Sequence, residues 1–163
     1  MRNAESLGFN GRYDTLEPVV QSNFDTPLIA KVILGRHWQS LNDEQKQQFI
    51  NIFNELSITT YANRFSSYDG EKFEYLGTES LNKQRVLVRT RMTRPDGDDV
   101  KFDYLMHQRD GNWYIMSIVA QGVNDLSLKR ADYTAIMESR GFDGLVAELN
   151  DKIAALKPEN NDQ

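Results

Sequence analysis

Apolar and polar positions repeat with a helical period at both ends of the chain and with a period of two in the middle. Asp14 and Thr15 precede Leu16, Val19, Val20 and Phe24, a spacing that predicts a short first helix with Pro18 in its opening turn, where a missing N–H costs little. Asp25 and Thr26 can cap a second helix, Pro27 suits its first position, and Leu28, Ile29, Val32 and Ile33 form its stripe, ending around Gly35 to Trp38. Asn42 with Gln45 three residues on has the form of a capping box. It opens the clearest helix of the chain, carrying Phe49, Ile52, Phe53, Leu56, Thr60 and Phe65.

From Phe73 the period becomes two. Val86, Val88, Thr90 and Met92 fall on one face of a strand, and Arg85, Leu87, Arg89 and Arg91 on the other. After the turn residues Arg94 to Asp98, Val100, Phe102, Tyr104 and Met106 alternate with Lys101, Asp103, Leu105 and His107. Asp110-Gly111-Asn112 then turns the chain into the nearly continuous apolar run Trp113 to Val119, which reads as a central strand of a three-stranded meander. Ser127 starts a helix bearing Ala131, Tyr133, Ile136 and Met137 that Gly141 ends. Asp143 caps a last helix with Leu145, Val146, Leu149, Ile153 and Leu156. Helices, antiparallel sheet, helices is an α+β order, with the helices packed on one sheet face. We expect one domain over residues 3–156 and a frayed tail at 157–163.

Composition narrows the partners rather than the fold. A net charge of -5 disfavours nucleic acid and anionic lipid surfaces, both of which call for a basic field. With no cysteine, thiolate nucleophiles and cysteine-ligated zinc are excluded. The longest apolar stretches fall far short of the roughly 20 residues of a membrane-spanning helix. The N-terminus lacks the apolar core of a signal peptide, so any such peptide is expected to have been removed already.

Candidate chemistry is sparse. His37 and His107 stand beside no nucleophile motif, Asp96, Asp98 and Asp99 lack the ligand series of a calcium loop, and the glycines lack the spacing of a phosphate-cradling loop. We expect no metal and no cofactor. Asp103 beside Tyr104 suggests the acid and tyrosine of a small-pocket isomerase, but strand alternation sends the two side chains to opposite faces. Arg85, Arg89, Arg91 and Lys101 share one sheet face and form a candidate cationic strip for a lipid phosphate or an acidic partner.

Gly111-Asn112-Trp113-Tyr114-Ile115, Val119-Ala120-Gln121-Gly122-Val123, Arg130-Ala131-Asp132-Tyr133 and Gly141-Phe142-Asp143-Gly144-Leu145 together form a pattern. It resembles that of the toluene-tolerance, Mla-type periplasmic phospholipid-binding proteins. Phe24-Asp25-Thr26-Pro27, Gly35-Arg36-His37-Trp38 and the end of the long helix at Tyr61-Ala62 to Phe65 agree with it. Asn124-Asp125 departs from the usual Gly-Val-Ser-Leu, and Asp125-Leu126-Ser127-Leu128-Lys129-Arg130 is closer to the hopanoid-associated, HpnM-like branch.

The resemblance implies a non-enzymatic periplasmic carrier with an apolar cavity for lipid tails. Its cargo would be phospholipid, hopanoid or both, and its partners lipid transport proteins of the inner and outer membranes. The expected cavity lies between the sheet face bearing Val88, Phe102 and Tyr104 and the helices bearing Ile29, Ile52, Phe53, Leu56, Tyr133 and Ile136. The alternatives are the isomerase above and a lipid-free interaction module with a filled core.

Overall fold

The computed structural model describes residues 2–158, so most of the expected tail, 159–163, lies outside the described residues. The elements are α1 (Ala4–Asn23), α2 (Thr26–Leu34), α3 (Arg36–Ser40), α4 (Asp43–Arg64), β1 (Lys72–Asn82), β2 (Arg85–Thr93), β3 (Asp99–Arg109), β4 (Asn112–Ala120), β5 (Val123–Asn124) and α5 (Asp125–Leu156). The five strands form one antiparallel sheet in chain order, β1-β2-β3-β4-β5, so the fold is α+β as predicted.

Helix caps carry much of the local logic. The Asn42 side chain accepts from the Gln45 amide at 2.8 Å and the Gln45 side chain accepts from the Asn42 amide at 3.1 Å, the reciprocal box expected of that pair. Asp25 caps α2 by accepting from the Leu28 amide at 3.1 Å. Asn124 caps α5, accepting from the Ser127 amide at 3.2 Å. Beyond the cap, α5 is broken at Gly141, whose φ of 68° leaves the helical region, so it consists of the two predicted C-terminal helices joined at that residue. Gly144 is required at this kink, because a Cβ there would sit 2.3 Å from the Cβ of Arg140.

The first helix differs from its prediction. It begins at Ala4, breaks at Gly8, where φ is 61°, and resumes well before Pro18, which therefore lies in its interior rather than its opening turn. Its first half has no apolar stripe to betray it. Instead the buried Arg12 donates through Nε to the Ala62 carbonyl of α4 at 2.7 Å and through Nη1 to the Ala4 carbonyl at 3.0 Å, a polar anchor that holds α1 against α4. The meander also gains two members over the three predicted strands, β1 at one edge and the two-residue β5 at the other.

The core is helical. Ile33, Leu34, Phe49, Ile58, Leu145 and Leu149 are almost wholly removed from solvent, and all come from α2, α4 and α5. Helices α1, α2 and α5 rest on β4, whereas β1, β2 and β3 make their main contacts within the sheet. The sheet therefore reaches out beyond the helices that support it.

Candidate functional site

Register places an apolar wall on one face of the projecting sheet. Val88 pairs with Tyr104 and Tyr104 with Ile118. Thr90 pairs with Phe102, and Met92 with both Phe73 and Val100. Paired residues share a face, so these side chains line one surface. Val88, Phe102 and Tyr104 are only half-buried, and Phe73 and Tyr75 of β1 are 64% and 66% exposed, large values for aromatic rings on an apolar face.

Two aromatic rows flank the space over this face. On the sheet, Phe73 and Phe102 have ring centroids 6.0 Å apart, and Phe102 and Tyr104 6.4 Å. On the helical side, Tyr61 of α4 packs between Phe24 at 6.2 Å and Phe65 at 5.7 Å. The rows meet at Tyr61 and Tyr104. Burial pushes the Tyr61 hydroxyl up to about 12, and the nearby Asp125 and Tyr104 add to the shift. Burial also raises Tyr104. From that apex the rows run out to the exposed Phe65 and Phe73.

The sequence-predicted residues divide between two environments. Val88, Phe102 and Tyr104 stand together on the sheet wall. Ile29, Phe53, Leu56 and Tyr133 are buried in the helical core, and Ile52 and Ile136 are partly buried against it. Phe49 packs edge-on to Tyr133 at 6.2 Å and stacks on Phe53 at 6.0 Å, so those side chains fill space between helices.

On the opposite sheet face, Arg85, Arg89, Arg91 and Lys101 do share one surface, as alternation requires. Arg89 donates to Glu79 and Arg91 to Glu74, each at 2.5 Å, and Arg91 also lies 3.4 Å from Asp99. These carboxylates offset much of the strip's charge, and two of them come from β1, the strand whose pairing was least legible in advance. Asp103 pairs in register with Arg89 and not with the aromatic face, so it lies across the sheet from the Tyr104 ring. Among the described residues, no group of three His, Cys, Asp or Glu is placed to hold a metal ion.

A second polar feature escaped sequence reasoning. His107 Nε2 lies 2.8 Å from Asp25 Oδ2, and Arg109 Nη1 donates to the same oxygen at 2.7 Å. The Arg109 guanidinium also lies 4.6 Å from the Tyr114 ring centre. Arg109 and Tyr114 border a groove of about 470 Å³ that also takes in Phe24, Asn51 and Asn54 and contains none of the predicted site residues. Alternation places His107 and Arg109 on one face of β3, but nothing in the sequence pairs them with a helix cap more than eighty residues away.

Known proteins of the same kind bear on this geometry. The model of the MlaC protein family matches residues 1–151. The intermembrane phospholipid transport system binding protein MlaC of Haemophilus influenzae is 22% identical over 121 residues, covering 72% of this chain and 56% of that protein. Toluene tolerance protein ttg2D of Pseudomonas putida is 22% identical over 135 residues, covering 82% of this chain and 63% of that protein. The chain thus spans a little over half to just under two thirds of the length of these two relatives. A phospholipid-binding protein from Ralstonia solanacearum, solved in complex with a phospholipid, superposes with a TM-score of 0.84 at 21% identity, over 94% of this chain and 87% of its own. This likeness establishes the fold.

Proposed function

The chain belongs to the MlaC protein family, and from that premise we propose that it is a periplasmic, non-enzymatic phospholipid carrier that holds lipid tails against the apolar face of its sheet. One observation carries the reading: aromatic and aliphatic side chains of β1–β3 share one sheet face and remain half-buried or exposed there. An acyl chain laid on that wall buries its own methylenes at about 0.8 kcal/mol each and covers the exposed rings as well. No bond need be made or broken.

In this reading Val88, Phe102 and Tyr104 supply the sheet side of the tail site, and Ile52 and Ile136, partly buried against the helical core, its helical side. Ile29, Phe53, Leu56 and Tyr133 lie behind them as the rigid layer on which that side rests. Arg85 and Lys101, on the far face, are the proposed contacts for a partner or head group, because Arg89 and Arg91 are already engaged by carboxylates. The phospholipid bound in the Ralstonia structure and the phospholipid transport named for the Haemophilus relative support phospholipid as cargo. The likeness of the Asp125-Leu126-Ser127-Leu128-Lys129-Arg130 segment to the hopanoid-associated branch is the ground for proposing hopanoid as a second cargo class. Partners are membrane lipid transport proteins that hand lipid on and receive it.

The test is extraction of protein purified from a Gram-negative host with organic solvent, followed by mass spectrometry of the extract beside an unrelated periplasmic protein. Stoichiometric phospholipid or hopanoid is expected, and the species found names the cargo. A lipid-free extract would overturn the carrier and leave the interaction module and the small-pocket enzyme.

A further inference from the structure

The sheet and the helical layer are joined at one polar hub. Asp25 is 2% exposed and sits where α1 hands over to α2. Its Oδ1 caps α2 at the Leu28 amide, 3.1 Å away, and its own amide donates to the Ile115 carbonyl of β4 at 3.1 Å. Its Oδ2 takes His107 at 2.8 Å and Arg109 at 2.7 Å, both from β3. One residue therefore ties a helix start to two neighbouring strands, through its carboxylate to β3 and through its backbone amide to β4.

The direction of these bonds matters. Along β3, side chains alternate, so His107 and Arg109 point from the face opposite Phe102, Tyr104 and Met106. Phe24 bridges Ile115 at the edge of β4 with its ring 6.2 Å from Tyr61, and the next side chain, Asp25, reaches His107 and Arg109. The hub crosses the far face of the sheet as a brace, while the proposed tail site occupies the near one. Because the helices make their larger contacts with β4 rather than β1–β3, the angle between sheet and helices depends on β4, on the approach of Tyr61 to Tyr104 and on this brace.

We infer that Asp25, with His107 and Arg109, is the positioning group that sets the opening between the apolar sheet wall and the helices, and thereby the rate at which lipid leaves. This rests on the carrier reading. A buried carboxylate that loses a charged partner loses one of the stronger kinds of hydrogen bond, and the free energy involved corresponds to a rate change of roughly tenfold or more.

Asp25→Asn is the informative variant, since asparagine caps a helix as well as aspartate does and only the charged pairing is lost. His107→Gln retains a donor and serves as the conservative control for His107→Leu. Two measurements separate the hub from the carrier reading. The first needs no lipid. The chain has no cysteine, so spin labels on cysteines placed at the exposed Ser80 and Asn150 report the distance from sheet tip to helical layer. Asp25→Asn, His107→Leu and Arg109→Ala should broaden that distribution, and His107→Gln should restore it. A distribution as narrow as wild type in Asp25→Asn, with melting temperature lowered or not, overturns the hub.

The second measurement follows transfer of fluorescent phosphatidylethanolamine from loaded protein to phosphatidylcholine vesicles. Release should quicken about tenfold in Asp25→Asn while folding is kept. Unchanged release beside a broadened distribution overturns the link between brace and lipid. Wild-type protein that takes up no fluorescent lipid fails the carrier reading itself, a result the spin-label distances do not depend on.

Discussion

The helical layer and the projecting sheet are built from similar apolar residues yet end in different states. In the helices, Phe49, Leu145 and Leu149 are fully enclosed and touch side chains on every side. On the sheet, Phe102 and Tyr104 are only half-buried and Phe73 is largely exposed, on a face the helices cover only in part. The first region has spent its hydrophobic surface on the fold. The second keeps it available, and an exposed apolar patch of this kind is the ground for proposing a tail site there.

The comparison breaks most sharply under truncation. Leu149→Ala should cost about 3–5 kcal/mol in urea unfolding, because a packed interior leaves a cavity behind. Phe102→Ala on the wall should cost about 1 kcal/mol, since the ring is half solvated already, but should cut bound lipid several-fold. Equal stability losses in the two variants would erase the distinction between the regions.

Tyr61 stands where the regions meet and gives the next largest effect. Its folded hydroxyl is raised from 10.0 to about 12, so above pH 10 the unfolded chain gives up this proton first and binds fewer protons than the fold. Stability should be full below pH 10 and fall as pH rises through about 12, by about 2 kcal/mol from this residue. Tyr61→Phe should flatten that part of the urea profile. A fall of the same size in the variant would remove Tyr61 as its cause.

Smaller effects mark the edges of each region. Asn42→Ala removes the box of α4 and should cost about 1 kcal/mol by chemical unfolding. Glu79→Gln releases Arg89 on the far sheet face and should cost less than about 1 kcal/mol, shrinking further in high salt, because both partners are solvated.

Much of this division was legible in the sequence, and its gaps have physical causes. The Asn42–Gln45 box, the alternation from Val86 to Val119 and the break at Gly141 are local signals, read within a few residues of chain. The first half of α1 was missed because Arg12, not an apolar stripe, holds it in place. Residues such as Phe53 and Tyr133 carried the same helical spacing as a pocket wall would, and periodicity marks burial without saying against what. The Asp25 hub was invisible because its partners are brought together only by the fold, with His107 and Arg109 reading as ordinary polar positions on a strand. The half-exposed wall itself depends on how far the sheet extends past its helices, a property of packing that no strand records.

The most direct measurement is photo-crosslinking with a phosphatidylcholine whose acyl chain carries a diazirine, followed by peptide mapping of the labelled protein. Label on the wall and the helices facing it, at Phe102, Tyr104, Tyr61 or Ile136, is the predicted result. Label confined to the Arg109 and Tyr114 groove, or spread evenly over the surface, would contradict a tail site on the sheet.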